Sequence, residues 1–153
     1  MIKYEELNAE NVQQYRREIA QFYYGNMQTW SCLGQCSFNE AYEKIGDLIG
    51  HLNTNTCVAY GAFDDNEIVG YIWAYPHPFR EEERMYISEI SVKKEYRSRG
   101  VGKRLVALIE EKAKKSGLPA LYLHAEAGSP DAIHFYESMG YTQERIQLRK
   151  EIL

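Results

Sequence analysis

A basic, glycine-containing turn in the middle of the chain has the residue types of a phosphate-binding site. It follows a run rich in β-branched and aromatic residues, 85–92, and leads directly into an amphipathic run that predicts a helix. The first N–H groups of a helix have no intrahelical partner, and the helix dipole adds roughly half a positive charge there. Because glycines allow close approach to the main chain, we expect a phosphate or pyrophosphate to bind here. The residues of this turn are Arg97, Ser98, Arg99, Gly100, Val101, Gly102 and Lys103.

Two common phosphate motifs are excluded by the residues that flank the glycines. A Walker P-loop requires a glycine five positions before Gly102 and a Ser or Thr after Lys103, but Arg97 and Arg104 stand at those positions. The dinucleotide-binding fingerprint requires a third glycine where the chain has Leu105. Taken alone, the turn is also compatible with a simple tight turn that has a solvated basic rim.

Two segments resemble the motifs of the Gcn5-related N-acetyltransferase superfamily. Residues 92–103 resemble its Arg/Gln-x-x-Gly-x-Gly/Ala turn and the hydrophobic strand that precedes the turn. Residues 129–141 are similar to its Asn-x-x-Ala-x-x-φ-Tyr-x-x-x-Gly-Phe segment, in which φ is apolar; here Ser129 replaces the asparagine and Tyr141 the phenylalanine. The resemblance covers roughly residues 67–141, whereas the N-terminal third matches only in the order of its elements.

The resemblance implies acetyl-CoA as the co-substrate. The pyrophosphate would lie on the amides of residues 97–103, and Ser129 stands at a position that contacts the coenzyme elsewhere in the family. The pantetheine arm would pair like an extra strand with the main chain of Ile90, Ser91 and Val92. In this family the first two helices and their connection wall the acceptor site, which makes pocket candidates of four residues, although they could equally cover the sheet. These four are Tyr23, Tyr24, Met27 and Trp30.

Acetyl transfer to an amine needs a neutral nucleophile, a polarised thioester carbonyl and a proton for the departing thiolate. A backbone N–H near Ile90 could polarise the carbonyl. Tyr136 is the candidate acid, because a phenol of pKa about 10 faces a thiolate of pKa about 8.5. For the base, Glu89 on the central strand and His124 on the following strand are ranked equally, with Glu126 as a third option. A base acting through ordered water, or no base beyond the solvent, stays open.

The elements that must position these residues follow from hydrophobic periodicity. The pattern predicts the order β-α-α-β-β-β-α-β-α-β-β and hence a single α+β domain over residues 1–153, with a mixed, mostly antiparallel central sheet flanked by helices. Glu89 is expected on the same side of its strand as Ile87 and Ser91 if alternation is regular. The predicted strands are 2–7, 56–63, 67–75, 85–92, 120–125 and a terminal β segment from 141; the predicted helices begin at Ala9, Phe38, Val101 and Pro130.

The composition, net charge and cysteine content indicate which classes of protein fit this chain. A chain of 153 residues with 44% hydrophobic and 26% charged residues fits one globular domain, and its apolar runs are shorter than the roughly 20 residues of a membrane span. A net charge of −4 argues against nucleic-acid partners and mildly favours a cationic acceptor. Cys32, Cys36 and Cys57 form neither a disulfide framework nor a zinc motif, so we expect no metal and a reducing, cytoplasmic environment.

Two functions from different classes are consistent with these features. The first is an acetyl-CoA-dependent N-acetyltransferase, a monomer or homodimer, that acts by direct transfer on a primary amine of a small molecule or peptide. The second is a non-catalytic module that keeps the acyl-CoA site as a sensor or structural element. Tyr136 beside an intact glycine turn favours the enzyme. The acceptor is not specified, because the pocket-forming region is where the resemblance fades.

Overall fold

The structure is a computed structural model that describes residues 1–29 and 36–153. It contains two compact units, residues 1–123 and residues 124–153. The elements of the first unit are β1 (Ile2–Glu6), α1 (Ala9–Gln14), α2 (Arg16–Thr29), α3 (Phe38–Asn53), β2 (Val58–Asp64), β3 (Glu67–Phe79), β4 (Glu82–Val92), a 3₁₀ turn (Lys94–Tyr96), α4 (Val101–Lys115) and β5 (Leu121–Tyr122). The second unit contains α5 (Pro130–Ser138).

The five strands form one sheet in the order β1-β2-β3-β4-β5. The first four pair antiparallel, whereas β5 runs parallel to β4 through Met85 with Leu121 and Tyr86 with Tyr122. Each hairpin turn is short, and the turn between β2 and β3 contains Asp65 at a φ of 52°. The predicted fold class is therefore confirmed: the chain is α+β, with a mixed and mostly antiparallel sheet flanked by helices.

Helices cover both faces of the sheet. Tyr71 on β3 is fully buried in a cluster with residues of α1, α2 and α3, and its ring stacks on Phe22 of α2 at 5.8 Å. The preceding residue, Gly70, faces α4 instead, since a Cβ placed there would lie 3.4 Å from the Leu105 side chain. Because successive strand residues point to opposite faces, α1 to α3 cover one face and α4 covers the other. We call the first of these the α2 face.

A β-bulge interrupts β4 next to Glu89. Trp73 pairs with Glu89 and Ala74 pairs with Ile87, so Ser88 is the extra residue on β4. The bulge reverses the alternation: Glu89 shares the α2 face with Tyr86 and Ser91, whereas Ile87 points to the α4 face. The expectation that Glu89 and Ile87 lie on one side is wrong, because it assumed regular alternation; the expectation for Ser91 is confirmed.

Other boundaries differ from the sequence expectation in informative ways. The single helix expected from Ala9 is divided at Tyr15, whose φ of −100° and ψ of 15° end α1 before α2 begins. β3 continues through Pro76 and Pro78, which were expected to end it. β2 begins at Val58, opposite Ala74, so β3 beyond Ala74 has β4 as a neighbour but not β2. Proline is tolerated there because its missing N–H can face the open side.

The C-terminal unit has less regular structure than expected. Residues 141–153 contain neither helix nor strand, so the terminal β segment expected from Tyr141 is not formed. Ile146, Leu148 and Ile152 are 74%, 89% and 84% exposed. Alternating apolar residues favour a strand only when a neighbouring strand accepts their backbone hydrogen bonds and a surface covers their side chains. Likewise, β5 is limited to two residues, although a strand over 120–125 was expected.

Candidate active site

Glu89 is a buried carboxylate at the centre of the sheet. Its residue is 6% exposed, and it is one of two buried polar residues in the described part of the chain; the other is Ser91. Burial raises the pKa of the Glu89 carboxyl from 4.5 to about 7, and the side-chain hydrogen bond from Asn26 acts in the opposite direction. A carboxyl that titrates near neutrality can accept a proton at physiological pH, as a general base must.

Asn26 holds this carboxylate from the neighbouring helix. Its amide Nδ2 donates to Glu89 Oε1 at 2.5 Å and lies 3.4 Å from the carbonyl oxygen of Ile90, so one side chain contacts both the carboxylate and the main chain of β4. Asn26 was not among the site residues predicted from the sequence. Its signal was present: Ile19, Phe22, Tyr23 and Asn26 follow the i, i+3, i+4, i+7 spacing of one helix face. A polar residue on a stripe that is otherwise apolar needs a buried partner.

Two phenols contribute to the surroundings of Glu89. Tyr23, a predicted pocket residue, is half-buried on α2, and its pKa is raised first by burial and then by the charge of Glu89. Tyr71 is fully buried, its pKa is raised by burial and by Glu89, and its hydroxyl has no hydrogen-bond partner among the described residues. Both phenols therefore stay neutral and can donate hydrogen bonds near the carboxylate.

A line of aromatic side chains extends from Glu89 along the α2 face. Trp73, Tyr75, His77 and Phe79 occupy alternate positions of β3, and we call these four residues the aromatic ladder. The first three rings are in contact, with centroids 5.7 Å apart for Trp73 and Tyr75 and 6.1 Å apart for Tyr75 and His77. His77 and Phe79 both contact the ring of Tyr122, at 6.1 Å and 5.6 Å. The sequence analysis did not recognise the ladder, although an aromatic residue at every second position from 71 to 79 is visible in the sequence.

Rings from neighbouring elements widen the ladder. Tyr86 of β4 meets Tyr75 at 5.4 Å with the two planes 75° apart, and Tyr122 of β5 lies 4.9 Å from Tyr86. The Tyr122 hydroxyl and His77 Nδ1 are 2.7 Å apart, which joins β5 to the end of β3. His51 of α3 stacks on Tyr75 at 6.4 Å. This surface is half-buried to exposed, so it can contact a ligand.

The predicted phosphate turn lies at the start of α4. Gly100 is its N-cap residue, with a φ of 82° and no side-chain cap, so the first N–H groups of α4 are not capped by that residue. Arg97 is anchored to the end of β4, since its Nε donates to the carbonyl oxygen of Val92 at 3.0 Å. Arg99 lies over the Tyr96 ring at 4.9 Å, and Lys103 is exposed. The backbone and these cations fit a pyrophosphate group.

The main chain of β4 extends beyond its pairing with β5. β5 pairs only with Met85 and Tyr86, so residues 87–92 have no strand neighbour on that side within the described sheet. This stretch includes Ile90, Ser91 and Val92, the positions at which the resemblance puts the pantetheine arm. An extended group could therefore pair with it as a strand does.

Four candidate site residues belong to the second unit. His124 is exposed and follows the end of β5, so its expected position on a strand is wrong; the same holds for Glu126, which is half-buried. Ser129 is the N-cap residue of α5, although its side chain makes no capping hydrogen bond. Tyr136 is half-buried on α5, with its ring 5.0 Å from Phe135 and 5.7 Å from Tyr141. Their roles stay predictions.

The remaining pocket candidates are on α2. Tyr24 packs against Phe38 of α3, with ring centroids 6.3 Å apart, and is half-buried against the hydrophobic core. Met27 is half-buried. Trp30 lies outside the described residues. Of the four candidates, Tyr23 is the one with an electrostatic link to Glu89.

Two further findings concern other kinds of function. In the described parts of the chain, no three His, Cys, Asp or Glu side chains are grouped so that they could hold a metal ion. The helices of residues 1–29 and 36–153 include none with the length and apolar composition of a membrane span. The features of the candidate site described above are a buried carboxylate, an aromatic surface and a basic helix N-terminus.

Comparison with known proteins gives this arrangement a context. The sequence model described as "Acetyltransferase (GNAT) family" matches residues 13–141. Among curated proteins, the chain is 27% identical over 89 residues to "Uncharacterized N-acetyltransferase YdgE" of Bacillus subtilis (strain 168), a match that covers 58% of this chain and 57% of that protein. The chain therefore matches little more than half the length of this relative.

Solved structures share the fold over nearly the whole chain. "Aminoglycoside N-Acetyltransferase AAC(6')-Iy in Complex with CoA" superposes with a TM-score of 0.76 at 13% identity, covering 99% of this chain and 95% of that one. The ribosomal-protein-alanine N-acetyltransferase of Brucella melitensis biovar Abortus 2308 gives a TM-score of 0.72 at 18% identity, covering 99% of both chains. At these identities the likeness concerns the fold. Because the family model extends over residues 13–141, the chain belongs to the acetyltransferase (GNAT) family.

Proposed function

We propose that this chain is an acetyl-CoA-dependent N-acetyltransferase that moves an acetyl group directly to a primary amine of a small molecule or peptide, in the cytoplasm and as a monomer or homodimer. Family membership supports the reaction class. The observation that carries the proposal is the carboxyl of Glu89, buried on β4 with a pKa of about 7 beside an aromatic surface that is half-buried to exposed. Burial of an ionisable group costs stability, and such groups are typical of functional sites.

In this proposal Glu89 is the general base. The amine nitrogen bonds to the thioester carbonyl carbon, the bond between that carbon and sulfur breaks, and the nitrogen loses a proton to the Glu89 carboxylate. A free ammonium group with a pKa of about 10.4 would lose its proton reluctantly to a base of pKa 7. The nitrogen becomes far more acidic as it bonds to the carbonyl, so the transfer is favourable at that stage. A base whose pKa is near the working pH is deprotonated in a large fraction of the molecules and is still basic enough to accept the proton.

The co-substrate would be held by main-chain groups of two elements. The uncapped N–H groups at the start of α4 suit the pyrophosphate, and Arg97, Arg99 and Lys103 add positive charge. The free side of β4 at Ile90, Ser91 and Val92 suits the pantetheine arm. A backbone N–H in this stretch would donate to the carbonyl oxygen as negative charge develops on it.

Tyr136 would supply the proton to the departing thiolate, and Ser129 would contact the coenzyme. Both assignments rest on the resemblance of residues 129–141 to the family segment. His124 is the competing base; it is exposed and follows the end of β5, whereas Glu89 is buried on β4 and accepts a hydrogen bond from Asn26.

The acceptor is a small organic amine or the amine of a peptide. The structural neighbours include an aminoglycoside N-acetyltransferase and a ribosomal-protein-alanine N-acetyltransferase, so this fold accommodates both classes. The half-exposed aromatic surface beside Glu89 supports a small organic amine here, because such rings bind compact ligands by stacking and cation–π contact.

The test is a screen of amine acceptors with acetyl-CoA, in which thiol release is measured and the acetylated product is identified by mass. We expect turnover with at least one primary amine. Glu89→Gln should lower kcat by about 10²- to 10⁴-fold, the usual contribution of a general base. The matched control is Glu43→Gln, which removes an exposed carboxylate on α3 and should leave kcat unchanged.

The same experiment separates the enzyme from the sensor. Acetyl-CoA binding measured by calorimetry, without thiol release in the presence of any amine, would support the non-catalytic module. Turnover that is unaffected by Glu89→Gln would keep the enzyme but reject Glu89 as its base.

A further inference from the structure

We propose that the aromatic ladder binds a second positive charge on the acceptor, so that the preferred substrates are diamines or longer polyamines rather than simple monoamines. This inference rests on the proposed transferase function and adds the substrate class. One amine would react beside Glu89, and a second, as ammonium, would lie against the rings of Tyr75 and Tyr86. Three features support it: the position of the rings, the angle between them and the charge around them.

The ladder is on the correct face and at a useful distance. Trp73 pairs directly with Glu89, so both face α2, and the bulge at Ser88 brings Tyr86 to the same face. A strand rises about 3.3 Å per residue, so Tyr75 lies about 7 Å along β3 from Trp73 and His77 about 13 Å. A nitrogen bound at Tyr75 would therefore be separated from one at Glu89 by about the span of a short aliphatic diamine.

The rings form a corner that suits an ammonium group. Tyr75 and Tyr86 meet with centroids 5.4 Å apart and planes at 75°, and Tyr75 and His77 meet at 73°. A cation placed in such a corner contacts the negative face of one ring while a second ring excludes water from its other side. Aromatic cages bind alkylated ammonium ions in this way.

The charges along this face favour a cation. The far end of the ladder already holds one, since the Arg84 guanidinium lies 3.9 Å from the centroid of Phe79. Arg84 in turn pairs with Glu82 at 2.5 Å, and residues 80–84 of this hairpin together carry one net negative charge. With Glu89 at the other end, a polyamine would lie between a buried carboxylate and this weakly acidic hairpin. The net charge of −4 adds a long-range attraction of the same sign.

The first test uses the unmodified protein and two matched acceptors, cadaverine and its analogue in which one amine is replaced by a hydroxyl group. The two have similar length and flexibility but differ by one positive charge. We expect kcat/KM for cadaverine to exceed that for the analogue by about 3- to 30-fold, the range of cation–π contacts. Equal values for the two acceptors would overturn the inference while leaving the transferase function intact.

Variants assign the preference to the ladder. Tyr75→Leu should lower the kcat/KM for cadaverine to the level of the analogue, whereas Tyr75→Phe keeps the ring face and should retain the preference. The control is Tyr60→Leu, because Tyr60 pairs with Ile72 and so lies on the opposite face of the sheet. A preference that survives Tyr75→Leu would contradict the assignment.

A binding measurement decides the question without turnover. Calorimetric titration of the wild-type protein with cadaverine and with the hydroxyl analogue compares their affinities directly. Tighter binding of cadaverine that is lost in Tyr75→Leu supports the subsite even if no acceptor is acetylated, in which case only the proposed function fails. Equal affinities would reject the subsite.

Discussion

The burial of Glu89 predicts an unusual dependence of stability on pH. In the unfolded chain this carboxyl loses its proton near its ordinary pKa of 4.5, whereas in the folded protein it keeps the proton until about pH 7. The folded state therefore binds more protons between these values, and its free energy of unfolding falls as pH rises through this window. Glu89→Gln removes the titration while keeping the shape and the hydrogen-bonding capacity of the side chain.

The magnitude follows from the two pKa values. A change from 4.5 to about 7 corresponds, at 1.36 kcal/mol for each pKa unit, to about 3 kcal/mol of stability lost when the window has been crossed. Most of this loss, about 2 to 3 kcal/mol, falls between pH 5 and pH 8. That is a large share of the total stability of an ordinary domain.

The assay is urea unfolding of the ligand-free protein at several values from pH 5 to pH 8. The free energy of unfolding of the wild type should fall relative to that of Glu89→Gln as pH rises, and the comparison cancels the titration of every other group. Glu43→Gln, on the exposed side of α3, should follow the wild type. Parallel profiles for wild type and Glu89→Gln would refute the argument, since they would mean that burial does not perturb this carboxyl.

Three further predictions concern the neighbours of this carboxyl and the coenzyme site. Asn26→Leu removes a hydrogen-bond donor to Glu89, so the pKa of the carboxyl should rise further. The ascending limb of kcat/KM against pH should then move to higher pH, and the profile is measured with two acceptors of different pKa. A limb that does not move with either acceptor would exclude Asn26 as the residue that sets the pKa of this base. Gly100→Val should weaken acetyl-CoA binding in calorimetry by at least tenfold, because a φ of 82° disfavours a β-branched residue and distorts the turn, whereas Gly50→Ala on α3 should bind normally. Tyr136→Phe should lower kcat by about 10²-fold or more with little change in coenzyme affinity. If the variant keeps the kcat of the wild type, the Tyr136 hydroxyl has no catalytic role and the residue contributes only to packing.

Local signals in the sequence were sufficient to predict the positions of several helices and strands. The helix starts predicted at Ala9 and Phe38 are confirmed, and each has a local cap: Asn8 with Asn11 for α1, and Ser37 with Glu40 for α3. The predicted strands 56–63 and 67–75 form the β2–β3 hairpin, whose turn contains Asp65, a residue type that turns favour. In each case a few neighbouring residues satisfy their own hydrogen bonds, so the information needed is local.

Features that depend on distant partners were not predictable in this way. No residue type marks Ser88 as a bulge, because the extra residue is defined by its pairing with β3. Pro76 and Pro78 lie within a strand because β2 does not extend beside them, which the local sequence does not reveal. Glu89 was predicted as a candidate base from its carboxyl group and its place on the central strand. The face of the sheet on which it lies and its hydrogen-bond partner Asn26 could be identified only from the fold. Alternation within residues 141–153 likewise predicted a strand that has no pairing partner in this structure.

The bulge at Ser88 also determines how this protein can be redesigned. An engineer who changes acceptor preference by following regular alternation would mutate Ile87, which is 4% exposed and points toward the α4 side of the sheet. The productive positions are the ladder residues, which share the face of Trp73 and Glu89, and Tyr86, which the extra residue brings to that face. Deleting Ser88 would remove the bulge and leave Glu89 opposite Trp73 and Ile87 opposite Ala74, in regular alternation. A one-residue deletion at this point should thus be less damaging than the same deletion at a regularly paired position of β4, which would turn the residues beyond it to the opposite face.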